Sequence, residues 1–168
     1  TVAAFVLNGG TLSGGRVNAG TYFINSGTIN SAFFGSGYKN GEGTLNLLGR
    51  IDVEDVADGS LDINGGTIVL GAADRLGDRL TVMVNGGTLD LAVNAEKIDR
   101  LVLRSGTVTS SAGVLEATRF DVEAGLITAP LVGTGLLTKT TAGEVTLGRT
   151  NSYVGGTVVE AGRLVLGV

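Results

Sequence analysis

Cysteine, histidine and tryptophan are absent from the 168 residues, and proline and methionine occur once each. Without cysteine no disulfide can form, which leaves two settings: a reducing compartment, or an extracellular protein stable without cross-links. Without histidine there is no Ser-His or Cys-His nucleophile system and no His-bearing metal site. No apolar run approaches the ~18 residues of a membrane-spanning helix. Lys and Arg number 12 against 16 Asp and Glu, a net charge of −4, and they do not cluster. Nucleic-acid binding is disfavoured, because phosphate contacts need grouped cations. Aromatics are limited to five Phe and three Tyr, which points to a thin core of Leu, Ile and Val.

Glycine is what the chain has in excess, 29 of 168 residues against an average near ~7%. With a single proline, the chain bends often without being collagen-like or of low complexity. The glycines sit in a recurring ten-residue phrase: apolar, any, apolar, polar, small, Gly, Thr, apolar, any, apolar or small. Copies begin at Phe5, Tyr22, Leu61 and Val82, with looser copies at Leu101, Phe120 and Thr157. The starts are 17, 39, 21, 19, 19 and 37 residues apart, and the two long intervals are each close to twice 19. Gly43-Thr-Leu-Asn-Leu47 and Gly143-Glu-Val-Thr-Leu147 lie in those intervals and keep the second half of the phrase. Nine units follow, and the 152 residues from Phe5 to Thr157 over eight intervals average 19.

Within each phrase apolar and polar residues alternate, as in Leu80, Val82, Val84 and then Leu89 and Leu91. Period two is the mark of a strand with one buried face. Asn-Gly-Gly between the halves supplies a corner. Hairpins would explain one such corner, but not one phrase every 19 residues in the same phase. The reading is an all-β solenoid of about nine coils of ~19 residues, each with three short strands, and residues 1–168 as a single segment. Stacking would align Leu89, Val108 and Ile127 in an apolar ladder, and Asn8, Asn25, Asn64 and Asn85 in a hydrogen-bonded corner ladder. The chain begins without Met and has no signal peptide at Thr1, so it reads as a segment of something longer, with neighbouring coils or caps expected over its edges.

A longer repeat overlays the short one: Tyr22 to Gly37 aligns with Phe120 to Gly135 at a constant offset of 98. The stretch Gly133-Thr-Gly-Leu-Leu-Thr-Lys139, Asn151-Ser-Tyr-Val-Gly-Gly-Thr157 and Ala161-Gly-Arg-Leu-Val-Leu-Gly167 resembles the autotransporter-associated β-helix repeat, also called the passenger-associated transport repeat. The resemblance covers residues 133–167, and residues 61–109 look like looser passenger segments. It implies a right-handed parallel β-helix, secreted to the bacterial cell surface through an outer-membrane barrel elsewhere in the full protein. It also implies that this repeat assists passenger folding and secretion, with the neighbouring coils and that barrel as partners. Gly133, Gly135, Lys139, Asn151, Tyr153, Gly155, Gly156, Thr157, Ala161, Gly162, Leu164 and Leu166 would be structural motif positions. Arg149 and Arg163 depart from the pattern and would face outward.

Other chemistry is sparse. Asp52, Glu54, Asp55 and Asp58 form one acidic cluster whose spacing fits no calcium loop, and a solvated insertion loop is the preferred reading. Asp74, Arg75, Asp78 and Arg79 suggest surface ion pairs. Asp90, Asp99 and Arg100 could serve a polysaccharide-cleaving groove only if one face gathered them. Gly35-Ser-Gly37 reads as a corner, since it opens a strand and not a helix. No catalytic, cofactor-binding or metal-binding residue is assigned. The expected role is a stalk and secretion-assisting scaffold, with an adhesin segment binding host or glycan ligands as the alternative and an enzyme least favoured.

Overall fold

The computed structural model describes residues 2–52 and 59–167. They form an all-β structure without helix, parallel strands stacked as a solenoid of about eight turns. The strands are β1 (Val2–Leu7), β2 (Thr11–Ile24), β3 (Gly27–Lys39), β4 (Thr44–Leu47), β5 (Ile51–Asp52) and β6 (Ser60–Ile63). Next come β7 (Thr67–Leu70), β8 (Thr81–Asp90), β9 (Glu96–Thr109), β10 (Leu115–Val122) and β11 (Gly125–Ile127). The last are β12 (Leu131–Val132), β13 (Leu136–Lys139), β14 (Glu144–Leu147), β15 (Thr157–Val159) and β16 (Arg163–Leu166).

Pairing arranges these strands in columns. In the first column the partners run Phe5, Tyr22, Gly37, Leu61, Val82, Leu101, Phe120, Leu137 and Thr157. Nine rungs separated by eight turns reconcile nine phrase units with about eight turns. Gly37 and Leu137 are the rungs hidden in the two long intervals. The second column carries the other half of the phrase, and there Leu89, Val108 and Ile127 stand in register and are buried. A third column brings Val17, Phe33, Ile51 and Leu76 into line on one stretch and Leu115 and Leu131 on the next. Inward positions from all three columns make one continuous apolar core.

Two corners are wider than the rest. Lys39 to Gly43 and Lys139 to Gly143 hold one more residue than Ile63 to Gly66. Beside them the second column slips: Gly27 pairs with Leu45, two places beyond Gly43, and Gly125 pairs with Val145, two places beyond Gly143. A slip of two preserves which side chains face the core, where a slip of one would invert them.

Candidate functional site: the lysine corners and the C-terminal coil

At most rungs the first-column strand ends on a buried aliphatic residue such as Ile24, Ile63 or Val84; at the two wide corners it ends on lysine. Lys39 and Lys139 are both 0% exposed. Each can occupy an apolar position because its methylene stem lies along the core while the ammonium reaches polar atoms at the rim. Lys39 Nζ donates to Gly41 O and to Gly65 O, the latter at 3.2 Å. Lys139 Nζ donates to Thr141 O, to Thr141 Oγ1 at 3.4 Å and to Ala161 O at 3.3 Å. In each case one acceptor belongs to the lysine's own corner and another to the corner of the next coil, so the ammonium clips two successive coils together. Burial pushes the Lys39 ammonium below its ordinary range, with Glu42 opposing that shift.

The glycine that follows each clip has no room for a side chain. A Cβ on Gly66 would come within 2.3 Å of Gly43 O and 2.6 Å of Lys39 Nζ, and one on Gly162 within 2.3 Å of Thr141 O. Both adopt the left-handed backbone region, φ 61° and 72°, which glycine reaches without a steric cost.

The remaining motif positions of residues 133–167 build the last rungs. Gly133 turns the chain beside Glu116, and Gly135 lies under the Phe120 ring and Ala117 O. Asn151 Oδ1 accepts the Leu131 amide at 2.8 Å while its Nδ2 donates to Arg149 O, so a side-chain amide continues the third column where no strand does. Tyr153 packs against Phe120 at 5.8 Å between ring centroids and shares a 2.7 Å hydrogen bond with Thr157 Oγ1. Gly155 is pressed against Thr134 O and Gly135 O, whereas a Cβ on Gly156 would meet only Leu136 Cδ1, at an ordinary 3.9 Å. Leu164 is half-buried and Leu166 exposed. Leu147, Asn151, Tyr153, Thr157 and Leu166 border a cleft of about 560 Å³ at this end.

The asparagine corner is hydrogen-bonded in two runs, Asn8 with Asn25 and Asn40 with Asn64 and Asn85. Asn25 Nδ2 donates to Asn8 Oδ1 at 2.6 Å, and Asn85 Nδ2 to Asn64 Oδ1 at 2.9 Å. Asn40, which breaks the phrase and is invisible to it, accepts from Asn64 at 2.8 Å. Arg104 donates to Asn85 at 3.3 Å and takes the ladder over into the charged half of the molecule.

Of the charged groups singled out in the sequence, Asp52 is buried and paired to Arg50 at 2.9 Å; Glu54, Asp55 and Asp58 lie outside the described residues. Asp78 pairs with Arg50 at 3.2 Å, but Arg75 bonds the carbonyls of Ala73 and Leu48 rather than a carboxylate. Asp90 caps the Ala92 amide, Asp99 accepts from Thr118, and Arg100 pairs with Asp121. Asp99 and Arg100 are neighbours in β9, but Asp90 ends the second-column strand of β8 and each of the three is engaged with a different partner. Gly35 and Gly37 lie inside β3. Arg149 and Arg163 both face outward, Arg163 pairing with Glu144 at 2.8 Å. No group of three or more His, Cys, Asp or Glu that could hold a metal occurs among the described residues.

One buried carboxylate escaped the sequence reading. Glu96, 2% exposed, accepts the amides of Arg75 at 2.9 Å and Leu76 at 3.2 Å. Its own amide donates to Val114 O on the next coil at 3.0 Å. A side chain thus splices the third column between Leu76 and Leu115. Burial is the chief reason its acidity is weakened, with a pKa pushed up to about 7. Glu96 stands between Ala95 and Lys97, and nothing in its neighbours or spacing distinguishes it from an outward glutamate.

Comparisons with known protein families, curated proteins and solved structures find no match to this chain.

Proposed function

We propose that this chain is a structural β-solenoid segment of a bacterial autotransporter passenger, a surface-exposed stalk whose C-terminal coils help the passenger fold as it crosses the outer membrane. The observation that carries this reading is the Lys139 clip, which joins its own corner to the last coil through Thr141 O and Ala161 O. A passenger that emerges unfolded needs a stable rung to grow from. Each further rung then pairs its strand edge with a formed one and extends the apolar ladders, so growth proceeds by local steps. The absence of cysteine suits passage through a narrow pore, which a disulfide-closed loop would obstruct. The role calls for no catalytic residue or cofactor.

An adhesin role is the weaker reading. On the outward faces, charges are engaged across rungs, as in Lys97 with Glu116 at 3.0 Å and Arg104 with Glu123 at 3.8 Å. The Phe23 and Tyr38 rings stack on each other, 14° apart in plane, so each occupies a face of the other that a sugar would use.

Deleting Gly133–Val168 from the intact secreted protein should lower its surface display and the yield of protease-resistant passenger. Display and protease resistance that survive the deletion unchanged would reject the secretion role.

A further inference from the structure

The break between the two asparagine runs falls inside the molecule, at a rung covered on both sides. Its cause is the wide corner after Lys39. A Cβ on Gly41 would lie 2.8 Å from Asn25 Cβ and 2.9 Å from Asn25 O, so Gly41, and not Asn40, stands over Asn25. Asn40 therefore begins the second run. Its Oδ1 accepts from Asn64 Nδ2 at 2.8 Å, while its own exposed Nδ2 has no hydrogen-bond partner among the described residues. The Gly41 amide has none there either.

We propose that Asn40-Gly41 is a covalent modification site, at which the asparagine converts to aspartate and isoaspartate through a cyclic imide. The Gly41 nitrogen, on losing its proton, attacks Asn40 Cγ. A new C–N bond closes the imide, and the side-chain nitrogen leaves with that proton as ammonia. Water then opens the ring. Breaking the bond from Cγ to nitrogen gives aspartate; breaking the main-chain bond gives isoaspartate, in which the chain runs through the former side chain. Water is the one co-reactant, and nothing is oxidised or reduced.

Three features of the corner favour the attack. The Gly41 amide has no hydrogen bond to give up, and no Cβ crowds its approach. The Asn64 donor already sits on Asn40 Oδ1, where negative charge develops as Cγ becomes tetrahedral. The Lys39 ammonium, bonded to Gly41 O, places a cation one peptide unit from the nitrogen that must lose its proton.

Asn64-Gly65 and Asn85-Gly86 share the dipeptide and differ in restraint. Asn64 donates to Asn40 and accepts from Asn85, and Asn85 donates to Asn64 and accepts from Arg104, so both amides are held at nitrogen and at oxygen. Asn8-Gly9 is set apart, because its rung is the first of the segment and a neighbouring coil is expected over it. The two products differ in consequence. Aspartate keeps an acceptor for Asn64, whereas isoaspartate adds a methylene to the main chain between Lys39 and Gly41 and shifts the carbonyl that the lysine clips. The corner that carries the clip thus also carries a slow means of undoing it. This inference does not rest on the secretion role.

Peptide mapping of the folded protein, aged at neutral pH and physiological temperature with isoaspartate scored by enzymatic methyl transfer to its carboxylate, should show conversion at Asn40 several-fold ahead of Asn64 and Asn85. In urea, where the shared dipeptide remains and the corner does not, the three should convert at comparable rates. The urea midpoint of the parent should fall with age, and that of Asn40→Gln, whose longer side chain closes the ring far more slowly, should hold. Conversion at Asn64 or Asn85 that keeps pace with Asn40 in the folded protein would overturn the proposal. So would an Asn40 that stays intact while its unfolded counterpart converts, or an Asn40→Gln protein that loses stability with age as the parent does.

Discussion

A lysine is a costly residue to place in a core, and this chain does it twice in the same way. The stem of Lys39 fills the place of an aliphatic side chain, and its ammonium satisfies carbonyls that a wider corner leaves without a strand partner. Replacing it by methionine keeps the stem and removes the donors. Leaving buried acceptors unpaired costs ~1–3 kcal/mol, so Lys39→Met should lose stability of that order in urea unfolding at neutral pH. A loss no larger than that of a surface lysine variant would show that the clip contributes nothing. Lys139 is placed alike, and the motif resemblance singles it out; Lys39 carries no such flag. It follows Gly37-Tyr38, where an apolar residue stands in most other rungs, and the glycine is explained only by its neighbour: a Cβ there would lie 1.7 Å from Tyr22 Cε2. The Tyr22 ring fills the space of two rungs, a compensation between coils that no single phrase reveals.

Among elements, the first and second columns were legible because each rung repeats the same alternation on either side of a glycine corner. The third was not. Its strands are two residues long at β5 and β12, and elsewhere side chains take their place: Glu96 between Leu76 and Leu115, Asn151 beyond Leu131. The Glu96 splice makes this column sensitive to pH. The folded state holds the Glu96 proton more tightly than the unfolded chain, its pKa rising from 4.5 to about 7. The contribution of Glu96 is therefore fully present below pH 4.5 and is lost as pH rises through about 7. The span is on the order of 3 kcal/mol. Urea midpoints measured across that window should fall more steeply in the parent chain than in Glu96→Gln, whose amide does not titrate. Parallel pH profiles in the two proteins would remove Glu96 as the cause.

The molecule as a whole is a stack in which each coil touches only its neighbours, so stability is distributed by position. Leu61, Val82 and Leu101 stand on central rungs covered above and below and are buried, whereas among the described residues the rungs of Phe5 and Thr157 are covered on one side. Hydrogen exchange of the 168-residue segment by itself should accordingly show the strongest protection in β6, β8 and β9 and a graded decline toward β1 and β16, because a rung covered on one side opens more readily than one covered on both. Uniform protection from end to end would indicate an all-or-none unit instead. The scale of the whole was the easiest to read: a mean spacing of 19 over eight intervals already contains the turn count.

The two lysine clips sit 100 residues apart, with Gly41 and Thr141 as matching acceptors in their own corners and Gly65 and Ala161 in the next. A gene coding for such a rod can lengthen by tandem copying of a block of coils, because every join between copies reproduces a join that already exists. Reading frames that gain or lose whole blocks still encode continuous ladders. Recombination, which would scramble a globular core, here only alters reach.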